Sequence, residues 1–163
     1  MMERMVPLAM LLRALVVALL VTACGSVAGP PGSTPPAPTP TAGDMSEVQA
    51  ALALRGATIH EAVSGDAGCP GSTLHSNAAR LALSVIGDDQ RYEVYLFRWR
   101  RPADFGAAAG TFNDCIDAYA AQTAGDVFID ALEVAPWRAY GPGWSEDLRT
   151  ALENSLRAAG GGG

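Results

Sequence analysis

Ala79-Arg-Leu-Ala-Leu-Ser-Val-Ile86, Gly87-Asp-Asp-Gln90, Arg91-Tyr-Glu-Val-Tyr-Leu-Phe-Arg-Trp99: two apolar runs around a polar turn decide the fold class of this chain. In the first run Leu81, Leu83 and Val85 alternate with Arg80, Ala82 and Ser84, which is the two-residue period of a strand with one face buried. The Gly-Asp-Asp-Gln tetrapeptide is a turn signal, so the second run should return beside the first as a hairpin. The second run is apolar on both sides. Val94 and Leu96 point one way and Tyr95, Phe97 and Trp99 the other, a pattern expected of a strand inside a sheet with cover on each face.

Working outward, Ala57 to Ser64 sets Ile59 and Val63 against Thr58 and His60, and Asp126 to Val134 is a fourth strand candidate. Three segments carry helix signals. Ser46 to Arg55 gathers Val48, Ala51, Leu52 and Arg55 on one side and stops at Gly56. Pro102 to Ala121 opens on proline and repeats Phe105, Ala109, Phe112, Ile116 and Tyr119 at spacings of three and four. Ser145 has the look of an N-cap, followed by Glu146 and Asp147 in the first turn and by Leu148, Leu152, Ser155 and Leu156. The predicted fold is α+β: a four-stranded antiparallel or mixed sheet packed by about three helices, in the order α-β-β-β-α-β-α. The segment Pro136 to Trp144, broken by glycine and proline, is expected to be a shaped loop.

Ahead of this domain the chain begins with Arg4 and Arg13, an apolar run from Ala14 to Val21, and small residues at Ala23 and Gly25. That is the order of a secretory signal peptide. The alternative, a membrane-spanning helix, needs about 20 apolar residues, and Pro7 and Arg13 interrupt the stretch. Leu20-Val21-Thr22-Ala23-Cys24 resembles the lipobox of bacterial lipoproteins. That resemblance implies cleavage before Cys24, diacylglycerol on its thiol, and stable anchoring, since two acyl chains hold a protein on a membrane where one does so only marginally. Residues 24–43 then form a lipidated, Pro/Thr/Gly-rich linker. With Pro30, Pro31, Pro35, Pro36, Pro38 and Pro40 and hardly any large side chain it is expected to stay an unfolded, partly polyproline-II spacer, reaching on the order of 60 Å when extended. Residues 1–23 are the signal, 44–159 a single domain, and 160–163 a glycine tail. The pieces Leu54-Arg55-Gly56-Ala57-Thr58 and Tyr92-Glu93-Val94-Tyr95-Leu96-Phe97 are similar to those of several secreted bacterial lipoproteins of unknown role, a resemblance that implies no activity.

The chain carries a formal charge of −6, and loss of Arg4, Arg13 and Glu3 with the signal would make it about one unit more negative. An acidic surface disfavours phosphate backbones and anionic headgroups, so nucleic acid is not an expected partner, and membrane association is expected through lipid on Cys24 alone. Lysine is absent from the sequence. This excludes a Walker A lysine, Schiff-base chemistry and a Ser-x-x-Lys nucleophile.

Few residues are arranged for chemistry. Cys69 and Cys115 are the pair left once Cys24 is lipidated, and an exported chain favours a disulfide between them, contributing on the order of 4 kcal/mol in the chain-entropy model. A redox or nucleophilic thiol would want a Cys-x-x-Cys or a neighbouring base. His60-Glu61 starts like His-Glu-x-x-His, but Ser64 stands at the second ligand position, and strand alternation should aim His60 and Glu61 to opposite faces. His75 is the other histidine, and no metal or other cofactor is expected. Asp114 and Asp117 share a helix face, either as paired carboxylates or as solvated residues. Arg98, Arg100 and Arg101 around Trp99 form a basic spot, either a dock for a carboxylate or phosphate or simple partners for neighbours such as Asp104. Trp137, Tyr140 and Trp144 could stack on a ligand or plug the end of the sheet. Of these, Trp137, Tyr140, Trp144, Arg98 and Arg100 are the candidate contacts for a ligand or partner. The expected function is that of a membrane-anchored, extracytoplasmic lipoprotein of the cell envelope. Its small non-catalytic domain would bind an envelope protein or small ligand; the alternative is a cell-envelope or extracellular hydrolase with a dispersed site.

Overall fold

The computed structural model of the chain describes residues 45–125 and 127–160. The signal segment 1–23, Cys24, the linker 24–43, Asp126 and residues 161–163 lie outside the described residues. The elements are α1 (Ser46–Leu54), β1 (Ala57–Ser64), a 3-10 turn (Thr73–Asn77), β2 (Ala78–Val85), β3 (Tyr92–Arg98), α2 (Pro102–Ala107), α3 (Ala109–Gln122), β4 (Ile129–Val134), β5 (Trp137–Pro142) and α4 (Glu146–Ala159). Together they make an α+β fold on a five-stranded sheet of order β1-β2-β3-β5-β4, every neighbouring pair antiparallel.

Two counts differ from the sequence expectation, which had four strands and three helices. The fifth strand, β5, lies where a loop was expected. Trp137 and Ala139 face one core and Arg138 and Tyr140 the other, so both faces are buried and no polar alternation marks the segment. Its prolines do not break the sheet because Pro136 precedes the strand and Pro142 ends it, positions where a missing ladder N–H is tolerated. The long helix is divided at Ala108 into α2 and α3. The break falls between Gly106 and Gly110, and glycine is a poor helix former.

β3 is the central strand and is covered on both faces. On one side Val94 and Leu96 join Leu81, Leu83, Trp137 and Ala139 beneath Val48 and Leu52 of α1 and Leu148, Leu152 and Leu156 of α4. On the other side Tyr95, Phe97 and Trp99 meet Tyr140, Phe112 and Cys115 in an aromatic core, with Phe105, Ile116 and Tyr119 packed at its margin. The rings interlock there: Phe97 stacks on Tyr140 at 5.8 Å between centroids and meets Phe112 edge-on at 5.4 Å. Cys69 and Cys115 are disulfide-bonded, with 5.3 Å between their Cα atoms. The bond fastens the loop after β1 to α3.

Ends of elements follow local chemistry. Ser145 caps α4 by accepting the Leu148 N–H, with Glu146 and Asp147 in the positive first turn. α1 gives way to β1 at Gly56, whose φ of +82° is open to glycine at little cost.

Candidate functional site

Where β3 ends and the β4–β5 turn passes, the sheet opens into a cleft of about 590 Å³ lined by Arg98, Trp99, Arg100, Pro102, Phe105, Ala135 and Pro136. The lining has a chain logic. Trp99 continues β3 by donating its N–H to the Pro136 carbonyl, so β3 and the β4–β5 turn are held side by side. Pro102 then starts α2, which carries Phe105 back over the aromatic core. Arg98 and Arg100 flank Trp99 along the chain. Arg98 also places its guanidinium 5.0 Å from the Trp137 ring centre. Arg101 pairs with Asp104 at 2.6 Å.

Behind the cleft lies Arg138, a residue that sequence reading missed. It is 2 % exposed, and its guanidinium sits 4.1 Å from the Phe105 ring centre, 5.2 Å from Trp99 and 5.4 Å from Phe112. Glu133, half exposed across the β4–β5 pair, supplies the counter-charge at 3.2 Å. Arg138 was overlooked because a lone arginine among aromatics reads as solvent-facing until the strand's second face is known to be covered.

The aromatic candidates are turned inward. Trp137 and Tyr140 are fully buried, and Trp144 is 8 % exposed. Trp137 and Trp144 belong to the aliphatic core and Tyr140 to the aromatic one. The Trp144 indole N–H donates to the Glu93 carbonyl at 3.1 Å, and its backbone N–H to Asp130 at 2.9 Å. The Tyr140 hydroxyl donates to the Ala67 carbonyl. Burial pushes the Tyr140 and Tyr95 phenols well above their ordinary range, the neighbouring Glu93 charge adding to the shift at Tyr95. So of the five candidate contacts, Arg98 and Arg100 line the cleft, while Trp137, Tyr140 and Trp144 build the two cores next to it.

His60 and Glu61 do not point to opposite faces as alternation predicts. The β1–β2 register slips between Ile59 and Glu61, so His60 is the extra residue of a bulge. Both side chains then reach partners on β2 that share a face: His60 Nε2 is 2.9 Å from Ser84 Oγ, and Glu61 is 3.2 Å from Arg80. Arg80 also pairs with Asp66 at 2.9 Å and Glu93 at 3.6 Å, and its hydrogen bonds to Glu61 and then Asp66 raise its pKa. The His60–Ser84 contact is exposed and lies apart from the residues lining the cleft. His75 is 2.8 Å from the Gly65 carbonyl. Asp114 and Asp117 are both exposed on α3. Among the described residues no group of three or more His, Cys, Asp or Glu side chains is placed to hold a metal ion, and no described helix is long and apolar enough to cross a membrane.

No protein-family model matches the sequence, and neither the curated proteins nor the solved structures hold a match to it.

Proposed function

We propose that the protein is an extracytoplasmic lipoprotein, anchored by lipid on Cys24 and carrying a non-catalytic domain that binds a ligand or partner in the cleft beside Trp99. The cleft carries the binding reading: it has the size of a small-molecule site and sets two arginines against an apolar wall. The Cys69–Cys115 disulfide supports placement outside the cytosol, since such bonds persist mainly in oxidising compartments. The second reading, an envelope or extracellular hydrolase, draws on the 2.9 Å His60–Ser84 contact. A serine nucleophile also needs oriented donors for the developing oxyanion and a place for substrate, and this pair lies on an exposed sheet face away from the cleft.

Fractionation of cells carrying the Cys24→Ser chain tests the anchor. The protein should leave the membrane fraction or persist as an uncut precursor; unchanged processing and membrane partition would defeat the lipoprotein reading.

A further inference from the structure

The cleft opens beside the point where the folded domain receives the chain from its N-terminal side. At its C-terminal end α1 meets the start of α4, where Arg55 lines a common hollow with Asp147, Thr150 and Ala151. The two helices pack on one another through Val48, Leu52, Leu148, Leu152 and Leu156, so they run antiparallel. Ten residues of helix back from Arg55 cover about 15 Å, which on α4 leads from Ala151 to its last turn. Met45 therefore lies level with Gly160. Gly160 in turn adjoins the cleft: a methyl group there would stand 3.1 Å from the Ala135 carbonyl and 3.3 Å from the Pro136 ring. With packed helices about 8–10 Å apart, the chain enters at Met45 roughly 15 Å from the cleft wall. Arg98 and Arg100 already have partners within the chain, so the surface left for a ligand is the uncharged one of Trp99, Pro102, Phe105 and Pro136.

We propose that the resting occupant of the cleft is the chain's own segment Ala37-Pro38-Thr39-Pro40-Thr41, laid with its proline rings against Trp99, Pro102 and Phe105. This rests on the reading of the cleft as the binding site. The segment stands four to eight residues before Met45, a reach of about 12–25 Å when extended, which brackets the distance to the cleft. It carries no charge, so nothing in it calls on the arginines. Proline-rich stretches suit aromatic-lined grooves because a preset backbone loses little conformational freedom on docking. The short tether also supplies an effective concentration in the millimolar range, and a free-peptide affinity about tenfold tighter than that keeps the cleft about nine-tenths shut. An outside proline-rich partner then enters only by displacing the linker.

The test uses the full chain in phospholipid nanodiscs, its tryptophans replaced by 5-fluorotryptophan, and fluorine NMR. The Trp99 resonance is identified by its loss in Trp99→Phe. The comparison is with the chain carrying Pro38→Ser and Pro40→Ser, changes that lie ahead of α1 and remove no core side chain. Trp99 should resonate differently in the two chains, while Trp137 and Trp144, buried in the other core, stay unchanged. A synthetic Ala-Pro-Thr-Pro-Thr peptide should bind the substituted chain and draw Trp99 back toward its original shift. It should bind the unaltered chain about tenfold more weakly, because the tethered copy competes. An Ala-Ser-Thr-Ser-Thr peptide should bind neither. Identical Trp99 resonances, with the proline peptide binding both chains equally, would overturn self-occupancy and leave the cleft as a site for an outside partner. Identical resonances with no peptide bound would overturn the whole inference, and equal binding of the two peptides would overturn the role of the proline rings. The Cys24→Ser fractionation reports on the anchor independently.

Discussion

Arg138 sits where a charge is expensive, and the geometry shows what offsets that cost. Its counter-ion Glu133 is half exposed, so water takes much of that pair's electrostatic energy, and contact with Phe105, Trp99 and Phe112 carries more of the burden. Glu133→Gln should therefore cost less than about 1 kcal/mol. Arg138→Lys should cost more, about 1–2 kcal/mol, because an ammonium cannot lie flat on a ring. Urea denaturation of the two variants orders them, and the reverse order would make the ion pair the dominant contact. Trp137 is the other residue whose worth lies in filling space. Fully buried between β5 and the helices, its truncation to alanine should cost about 3–5 kcal/mol. Trp144→Ala should fall within the same range, since its slight exposure of 8 % lessens the packing lost while the bond to Glu93 is given up as well. Shifts near zero at both positions would mean that the rings serve a surface role.

Among the elements, β5 rests on a close approach. A methyl group on Gly141 would run into the Glu93 carbonyl and the Trp144 indole, and the backbone carbonyl cannot swing away. Gly141→Ala should thus destabilise by about 1–3 kcal/mol, the usual cost of overpacking, measured as a lower denaturant midpoint with an unchanged slope; no change would show that the strand can shift. The same strand marks the border of what the sequence discloses. The β2–β3 hairpin was legible because polar and apolar residues alternate in β2 and both sides of β3 are apolar, and the structure places β3 at the centre of the sheet with both faces covered. β5 was not legible: an arginine facing an aromatic core mimics a solvent-facing residue, and bracketing prolines mimic a loop. The bulge at His60 was invisible for another reason, since one inserted residue leaves composition untouched and changes only which side chains share a face. In the same way Arg98 and Arg100 could be picked out as a basic spot, but not the partners completing the cleft, because Pro102 and Phe105 reach it from α2 and Pro136 from the distant β4–β5 turn.

For the molecule as a whole, the four tyrosines act together. Each has a phenol pKa raised in the fold: Tyr95, Tyr119 and Tyr140 chiefly by burial, and Tyr92 chiefly by its hydrogen bond to Asp88. In the unfolded chain they ionise near their ordinary value of about 10. Above that pH the unfolded state has lost protons that the folded state keeps, so stability is complete below about pH 10 and falls as pH rises beyond it. A spectrophotometric titration should show phenolate absorbance arriving late and together with loss of the fold; a full phenolate signal near pH 10 from folded protein would contradict this. At the opposite limb the same Tyr92 bond holds the Asp88 carboxyl below its usual range, so its contribution is present above about pH 4 and fades as acid protonates it.

The bond between Cys69 and Cys115 also bears on how the chain matures. Until the thiols are oxidised, α3 lies over the aromatic wall without a covalent latch, and a copy detained in a reducing compartment carries a loosely shut flank. Reduced protein under limited proteolysis should therefore be nicked first between residues 65 and 77 or within α3, while the sheet and α4 resist. The oxidised form should lose both early cuts. Maturation would then depend on an encounter with an oxidant, making completion of this domain a record of where the chain has been.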